Sequence, residues 1–233
     1  MSVILETSKL KKNFYAKHAL RGIDLKLENG RILGLMGPNG SGKTTFLKII
    51  AGLQKSSGGT FTVNGKPAGY ETKKTVSFLP DKNTLYPWMS SMDAIDFYAD
   101  FFEDFDRNKA IDMLSFMKLE KTDKVKAMSK GMIEKLNLTL AFSRRASLFL
   151  LDEPLGGVDP VSRERIVSTI IKTWTEDSAI IISTHLVNDV EQIFNDVAFI
   201  DDGELILTGD AEALRIERGK SIDQLYLEIF ANR

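Results

Sequence analysis

The chain has 233 residues, 43% of them hydrophobic, with 31 Lys and Arg against 32 Asp and Glu for a net charge of −1. That is enough apolar material for one core, or for one domain with an inserted lobe, and the balanced charge argues against binding nucleic acid through a basic face. Cysteine is absent, which excludes disulfide and thiolate–metal chemistry and is compatible with a reducing cytosol.

Residues 1–10 lack the basic start and apolar core of a signal peptide. No apolar run approaches the roughly 18 residues that span a bilayer. The expectation is a soluble chain without direct membrane insertion, linked to any membrane through a partner. Residues 3–7 predict a first strand. Ile23, Leu25 and Leu27 alternate with Asp24, Lys26 and Glu28, the pattern of a half-exposed strand. Glu28-Asn29-Gly30 is a turn signal into residues 31–36, which read as a buried strand. An N-terminal antiparallel sheet feeding that strand is the simplest arrangement.

The next run, Gly37-Pro38-Asn39-Gly40-Ser41-Gly42-Lys43-Thr44-Thr45, fits the P-loop pattern G-x-x-x-x-G-K-[ST]. It sits between the buried strand and an amphipathic helix over residues 46–53. Glycines let backbone N–H groups close around an anion, since no Cβ opposes a positive φ. A helix starting near Gly42 adds its dipole to the same charge. Lys43 is placed to reach the β- and γ-phosphates of a nucleotide, and the Thr44 hydroxyl to ligate Mg²⁺. The competing reading is a strand-to-helix turn that binds nothing; the full pattern in its strand–helix context argues for phosphate.

Residues 55–59 read as a loop, residues 60–63 with Asn64-Gly65 as a strand and turn, and residues 75–79 as a buried strand stopped by Pro80. The character then changes. Ser90 with Asp93 forms a capping box, and Ile95, Tyr98, Phe102 and Phe105 make one apolar face, read as core packing. Ala110, Leu114 and Met117 do the same on a second helix. Residues 85–137 are thus expected to be a helical insertion, dividing a core of residues 1–84 and 138–210; residues 211–233 form a helical tail. Apolar strands at residues 147–152, 179–183 and 197–201, alternating with helical stretches, imply a parallel sheet covered on both faces.

The strand at residues 148–151 ends in Asp152-Glu153-Pro154. Acids at the carboxyl end of a parallel strand face the crevice where ligands bind. Asp152 fits a Mg²⁺ holder acting through water, and Glu153 an orienter or base for the attacking water. Adjacent carboxylates need a cation nearby, and Lys43 with a metal would supply it. His185, just past another strand, is by type more often structural; its place on the same crevice makes it a candidate partner of the γ-phosphate or the water.

Together these residues resemble the nucleotide-binding subunits of ATP-binding cassette (ABC) transporters over nearly the whole chain. Met128-Ser129-Lys130-Gly131-Met132 is similar to the family's signature segment, usually LSGGQ; Gly157-Val158-Asp159-Pro160 resembles its D-loop and Ser183-Thr184-His185 its H-loop. The resemblance implies an α/β P-loop NTPase (RecA-like) core with a mostly parallel sheet, an N-terminal antiparallel β-subdomain and an inserted α-helical subdomain. It implies Mg²⁺-dependent ATP hydrolysis, with Phe14, or its neighbour Tyr15, stacking on adenine. It also implies a head-to-tail pair with a second nucleotide-binding subunit, identical or related, in which Ser129 and the Gly131 N–H donate to the γ-phosphate of the partner's nucleotide. A transmembrane permease at the inner face of the cell membrane would complete the machine, looking most like small exporters of drugs, peptides or lipid-like cargo. A soluble cassette serving a cluster-assembly scaffold is the alternative, and a slow regulatory ATP-binding module a third. Asp81 stands where the family usually has Gln and is expected to reach Mg²⁺; Lys130 replaces a signature Gly, and Gly156 a small hydroxyl residue. Tyr86-Pro87-Trp88-Met89 marks either a docking patch or packing beneath the insertion.

Overall fold

The computed structural model describes residues 2–231. Strands β1 (Val3–Phe14) and β2 (Lys17–Glu28) form a long antiparallel hairpin. β1 extends well beyond residue 7 because it is paired on both edges, with β2 on one side and β4 (Gly58–Val63) on the other. Register shifts around Lys9, where φ is 46°, break its alternation, so periodicity alone under-reads it. β3 (Ile32–Met36) is wholly buried and runs into the loop that opens α1 (Lys43–Ile50). After β4 come the short β5 (Lys66–Pro67), α2 (Tyr70–Thr75) and β6 (Val76–Leu79). α2 has no apolar period, which is why the sequence pattern shows nothing there.

The helical segment contains α3 (Ser91–Phe101), α4 (Arg107–Phe116) and α5 (Lys130–Phe142). Ser90 and Asp93 form the expected reciprocal cap, at 2.7 and 3.1 Å. α3 stops before Phe102, whose backbone is extended; Phe102 and Phe105 still pack on Tyr98, with ring centroids 5.4 and 5.9 Å away. α5 runs unbroken from the insertion into the core. The Arg144 guanidinium then clasps the two together: it binds the Asp104 carboxylate, donates to the Val76 and Lys74 carbonyls, and lies 4.1 Å over the Phe102 ring.

β7 (Leu148–Asp152), α6 (Pro160–Thr173), β8 (Ala179–Thr184), β9 (Asp196–Asp201), β10 (Glu204–Asp210), α7 (Ala211–Arg218) and α8 (Ile222–Phe230) complete the chain. The last two residues of the expected tail lie outside the described residues. The large sheet has the order β10-β9-β3-β8-β7-β6, parallel except for β10 at one edge. Its continuous apolar strands serve two cores. Leu148, Leu150 and Ile181 face α1 and the antiparallel sheet, whereas Phe149, Leu151, Ile180 and Ile182 face the helices on the other side. This is the expected α/β architecture, and it lines up the carboxyl ends of β3, β8, β7 and β6 along one crevice.

Candidate nucleotide-binding site

The loop after β3 is held tightly by its glycines. A β-carbon on Gly37 would sit 2.1 Å from the Ile200 carbonyl oxygen; at Gly42, where φ is 117°, it would sit 2.7 Å from the Ala19 carbonyl. Neither position admits a side chain. Asn39 and Gly40 are exposed at the loop tip, Pro38 lies below them, and Ser41 is buried. Thr45 follows on α1.

Lys43 is only 5% exposed. Its ammonium donates to the Gly37 and Pro38 carbonyls at 2.7 and 3.2 Å and stands 3.6 Å from Glu153 Oε1. Burial pulls its pKa down, and the Glu153 charge opposes that. Thr44, next on α1, donates its hydroxyl to Asp152 Oδ1 at 3.1 Å. Asp152 ends β7 and is 1% exposed. Parallel register sets it opposite Ser183 of β8, whose hydroxyl donates to Oδ1 at 2.6 Å. Among the described residues Asp152 Oδ2 is buried with no hydrogen-bond partner.

Glu153 turns the chain out of β7 with φ at 51°, a conformation that costs a non-glycine residue about 1–2 kcal/mol. Its N–H is held by the Ser183 carbonyl at 3.0 Å and hydroxyl at 3.1 Å. The side chain lies between Lys43 and His185. Oε1 faces Lys43, and Oε2 meets His185 Nδ1 at 2.9 Å and the His185 N–H at 3.3 Å. Sequence reasoning placed Ser183 in a motif without a role. Its signal was a hydroxyl ending an otherwise aliphatic strand, one register step from an acid.

The remaining candidates stand apart from this cluster. Asp81 is exposed two residues past β6, and among the described residues it makes no hydrogen bond or ion pair; its charge is felt at Glu134 of α5. Ser129 caps α5, accepting the Met132 N–H at 3.3 Å, and Gly131 is buried. Among the described residues neither forms a hydrogen bond to the P-loop or to Asp152 and Glu153. Phe14 is 41% exposed at the hairpin end with the Lys12 ammonium 4.8 Å from its ring, and Tyr15 is fully exposed. Trp88 is 62% exposed, stacked on Tyr86 at 6.0 Å. It is not packed beneath the insertion. Beside it a groove of about 230 Å³ is lined by Tyr86, Met89, Phe97 and Phe101 among others.

A glycine-cradled lysine entering a helix, joined by a threonine to the acid ending a parallel strand, defines a P-loop nucleoside triphosphatase. Comparisons narrow the class. Residues 20–156 match the family model of the ABC transporter. The ABC transporter ATP-binding protein YtrB of Bacillus subtilis is 30% identical over 217 residues, covering 92% of this chain and 74% of that protein. The linearmycin resistance ATP-binding protein LnrL of the same organism is 30% identical, covering 88% and 69%. An uncharacterised ABC transporter ATP-binding protein of Synechocystis is 32% identical over 88% of this chain, which spans 60% of that relative's length. Among solved structures, an ATP-binding subunit of an ABC transporter superposes with a TM-score of 0.87 at 23% identity, covering 97% of this chain and 98% of that one. The cassette MJ0796, in a dimeric post-hydrolysis state with ADP and Pi, gives 0.79 at 21% identity, covering 89% and 98%. The chain belongs to the ABC transporter family. Among the described residues no helix is long and apolar enough to cross a membrane.

Proposed function

We propose that the protein binds and hydrolyses ATP with Mg²⁺ as the energy-coupling subunit of a membrane exporter for a drug, peptide or lipid-like cargo. The observation that carries the ATPase reading is the buried, unpaired Asp152 Oδ2 beside the Thr44 hydroxyl, with Lys43, Glu153 and His185 converging on the same crevice. A buried carboxylate oxygen left without a partner calls for a cation.

Thr44 and Asp152 offer hard oxygens, and among the described residues no group of three or more acids and histidines forms an all-protein metal cage. That suits Mg²⁺, which takes few protein ligands and leaves the rest to phosphate and water; bound there, it would draw charge from the phosphates. Lys43 would exchange its own loop carbonyls for the β- and γ-phosphates, which is favourable because its ammonium is already desolvated. The loop N–H groups would cradle the phosphates, and the aromatic ring of Phe14 would stack on adenine. Glu153 would take the proton of a water whose oxygen attacks the γ-phosphorus as the bond to the bridging oxygen breaks and ADP leaves. His185 would hold the Glu153 carboxylate in place and meet the γ-phosphate.

A second cassette, a copy or a related chain, would close the site with its Ser129 and Gly131. Among structural neighbours, the dimeric MJ0796 supports pairing. The exposed Tyr86–Trp88 stack and its aromatic groove would offer a surface for the permease at the inner face of the cell membrane. The likeness to the linearmycin resistance ATP-binding protein LnrL supports export. The test is Glu153→Gln: it should keep ATP binding, lower turnover by roughly 10²–10⁴-fold, and leave an ATP-bound dimer on gel filtration. Hydrolysis at the parent rate would remove Glu153 as the base.

A further inference from the structure

Lys130 is the first residue of α5 and is exposed. Among the described residues its ammonium makes no hydrogen bond or ion pair, although its charge is felt at Glu134. Even so, the side chain lies folded along the turn at Gly157. A β-carbon on Gly157 would sit 2.6 Å from Lys130 Nζ, 3.1 Å from Cδ and 3.3 Å from Cε. Gly157 has φ at 67°, so its bare backbone both makes the turn and receives the lysine stem. One residue on, the site of a β-carbon on Gly131 lies 3.3 Å from Asp159 Oδ2 and 3.4 Å from Ser162 Oγ. The start of α5 is therefore packed along residues 157–162 at two adjacent points.

That segment leads back to Glu153 with little slack. The Gly156 N–H donates to the Glu153 carbonyl at 2.9 Å, and the Val158 N–H to the Leu155 carbonyl at 3.3 Å. Leu155 and Val158 are anchored in the core. At the end of this strap stands Glu153 with its left-handed backbone, a strained conformation that persists only while its surroundings hold it.

We propose that Lys130 is a positioning residue: its side chain fastens the signature turn to the strap of residues 153–159, so that the pose of Glu153 follows the engagement of the signature. This rests on the paired arrangement proposed above. There the signature serves the partner's nucleotide while Glu153 serves the subunit's own, and Lys130 links the two ATP sites through one chain. A glycine at this position has no side chain to make the link. The stem acts as a spacer, so a residue of the same length without charge should do the same.

Amide hydrogen exchange on the nucleotide-free protein reads the contact directly. Lys130→Ala should speed exchange in residues 154–159 several-fold, and Lys130→Met should leave it near the parent. In ATPase assays Lys130→Ala should lower kcat about fivefold and bring the Hill coefficient for ATP towards one, with fluorescent-ATP affinity of the monomer unchanged. Unchanged exchange and cooperativity in Lys130→Ala would overturn the proposal, as would a Lys130→Met variant as perturbed as the alanine, which would mean that charge acts rather than the spacer. The paired reading fails separately, by the absence of an ATP-bound dimer in Glu153→Gln, which leaves the exchange result standing.

Discussion

Glu134 is 4% exposed on α5, and among the described residues it forms no hydrogen bond or ion pair. Burial pushes its carboxyl from the ordinary 4.5 up to about 7; Lys130 pulls it down, and Asp81 adds to the rise. The folded protein thus holds this proton more tightly than the unfolded chain does. Stability is full below about pH 4.5, falls as pH rises through about 7, and stays reduced above it. At about 1.4 kcal/mol per tenfold change in proton affinity, the difference between 4.5 and about 7 corresponds to on the order of 3 kcal/mol. Glu134→Gln keeps the shape and removes the charge. Urea unfolding followed by tryptophan fluorescence should show the variant more stable by up to about 3 kcal/mol at pH 8, roughly 6–12 °C in Tm for a domain of this size, and close to the parent at pH 5. Equal stabilities at pH 8, or the same gain at both pH values, would refute the assignment of a desolvated carboxylate.

Lys43→Ala removes the ammonium at the heart of the loop and should weaken ATP binding by roughly a hundredfold or more, read by titration with a fluorescent ATP analogue. Asp81→Gln should change the Mg²⁺ dependence of ATP hydrolysis; an identical magnesium titration would take Asp81 out of the site. Trp88→Ala, which breaks the stack on Tyr86, should reduce co-purification with a membrane subunit encoded nearby while leaving ATP binding intact. Unchanged co-purification would take Trp88 out of the docking surface.

Much of the architecture could be read in advance because its signals are contiguous. The phosphate loop with its flanking strand and helix, the acid-ended strand β7 and the Ser90 cap each lie within about a dozen residues. Short apolar runs alternating with helical stretches point to a parallel sheet covered on both faces. Where periodicity is weak, the reading faltered. β1 runs 12 residues where the sequence marks only residues 3–7, because β4 supports its second edge, and α2 carries no apolar pattern at all. The stripe of Ile95, Tyr98, Phe102 and Phe105 packs inward as its spacing predicts, whereas Phe97 and Phe101, off that stripe, stand 46% and 70% exposed.

By itself, then, the amino-acid order determined the α/β class and the nine-residue P-loop run from Gly37 to Thr45, since a backbone that wraps an anion needs glycine, lysine and threonine at fixed spacing. Tertiary structure decided what those groups meet. Ser183 reaches Asp152 across 31 residues through strand register, Lys43 and His185 bracket Glu153, and Lys130 comes to rest on Gly157. The physical reason is range: covalent spacing sets local conformation, whereas the pairing of distant charges follows only once the sheet has chosen its strand order.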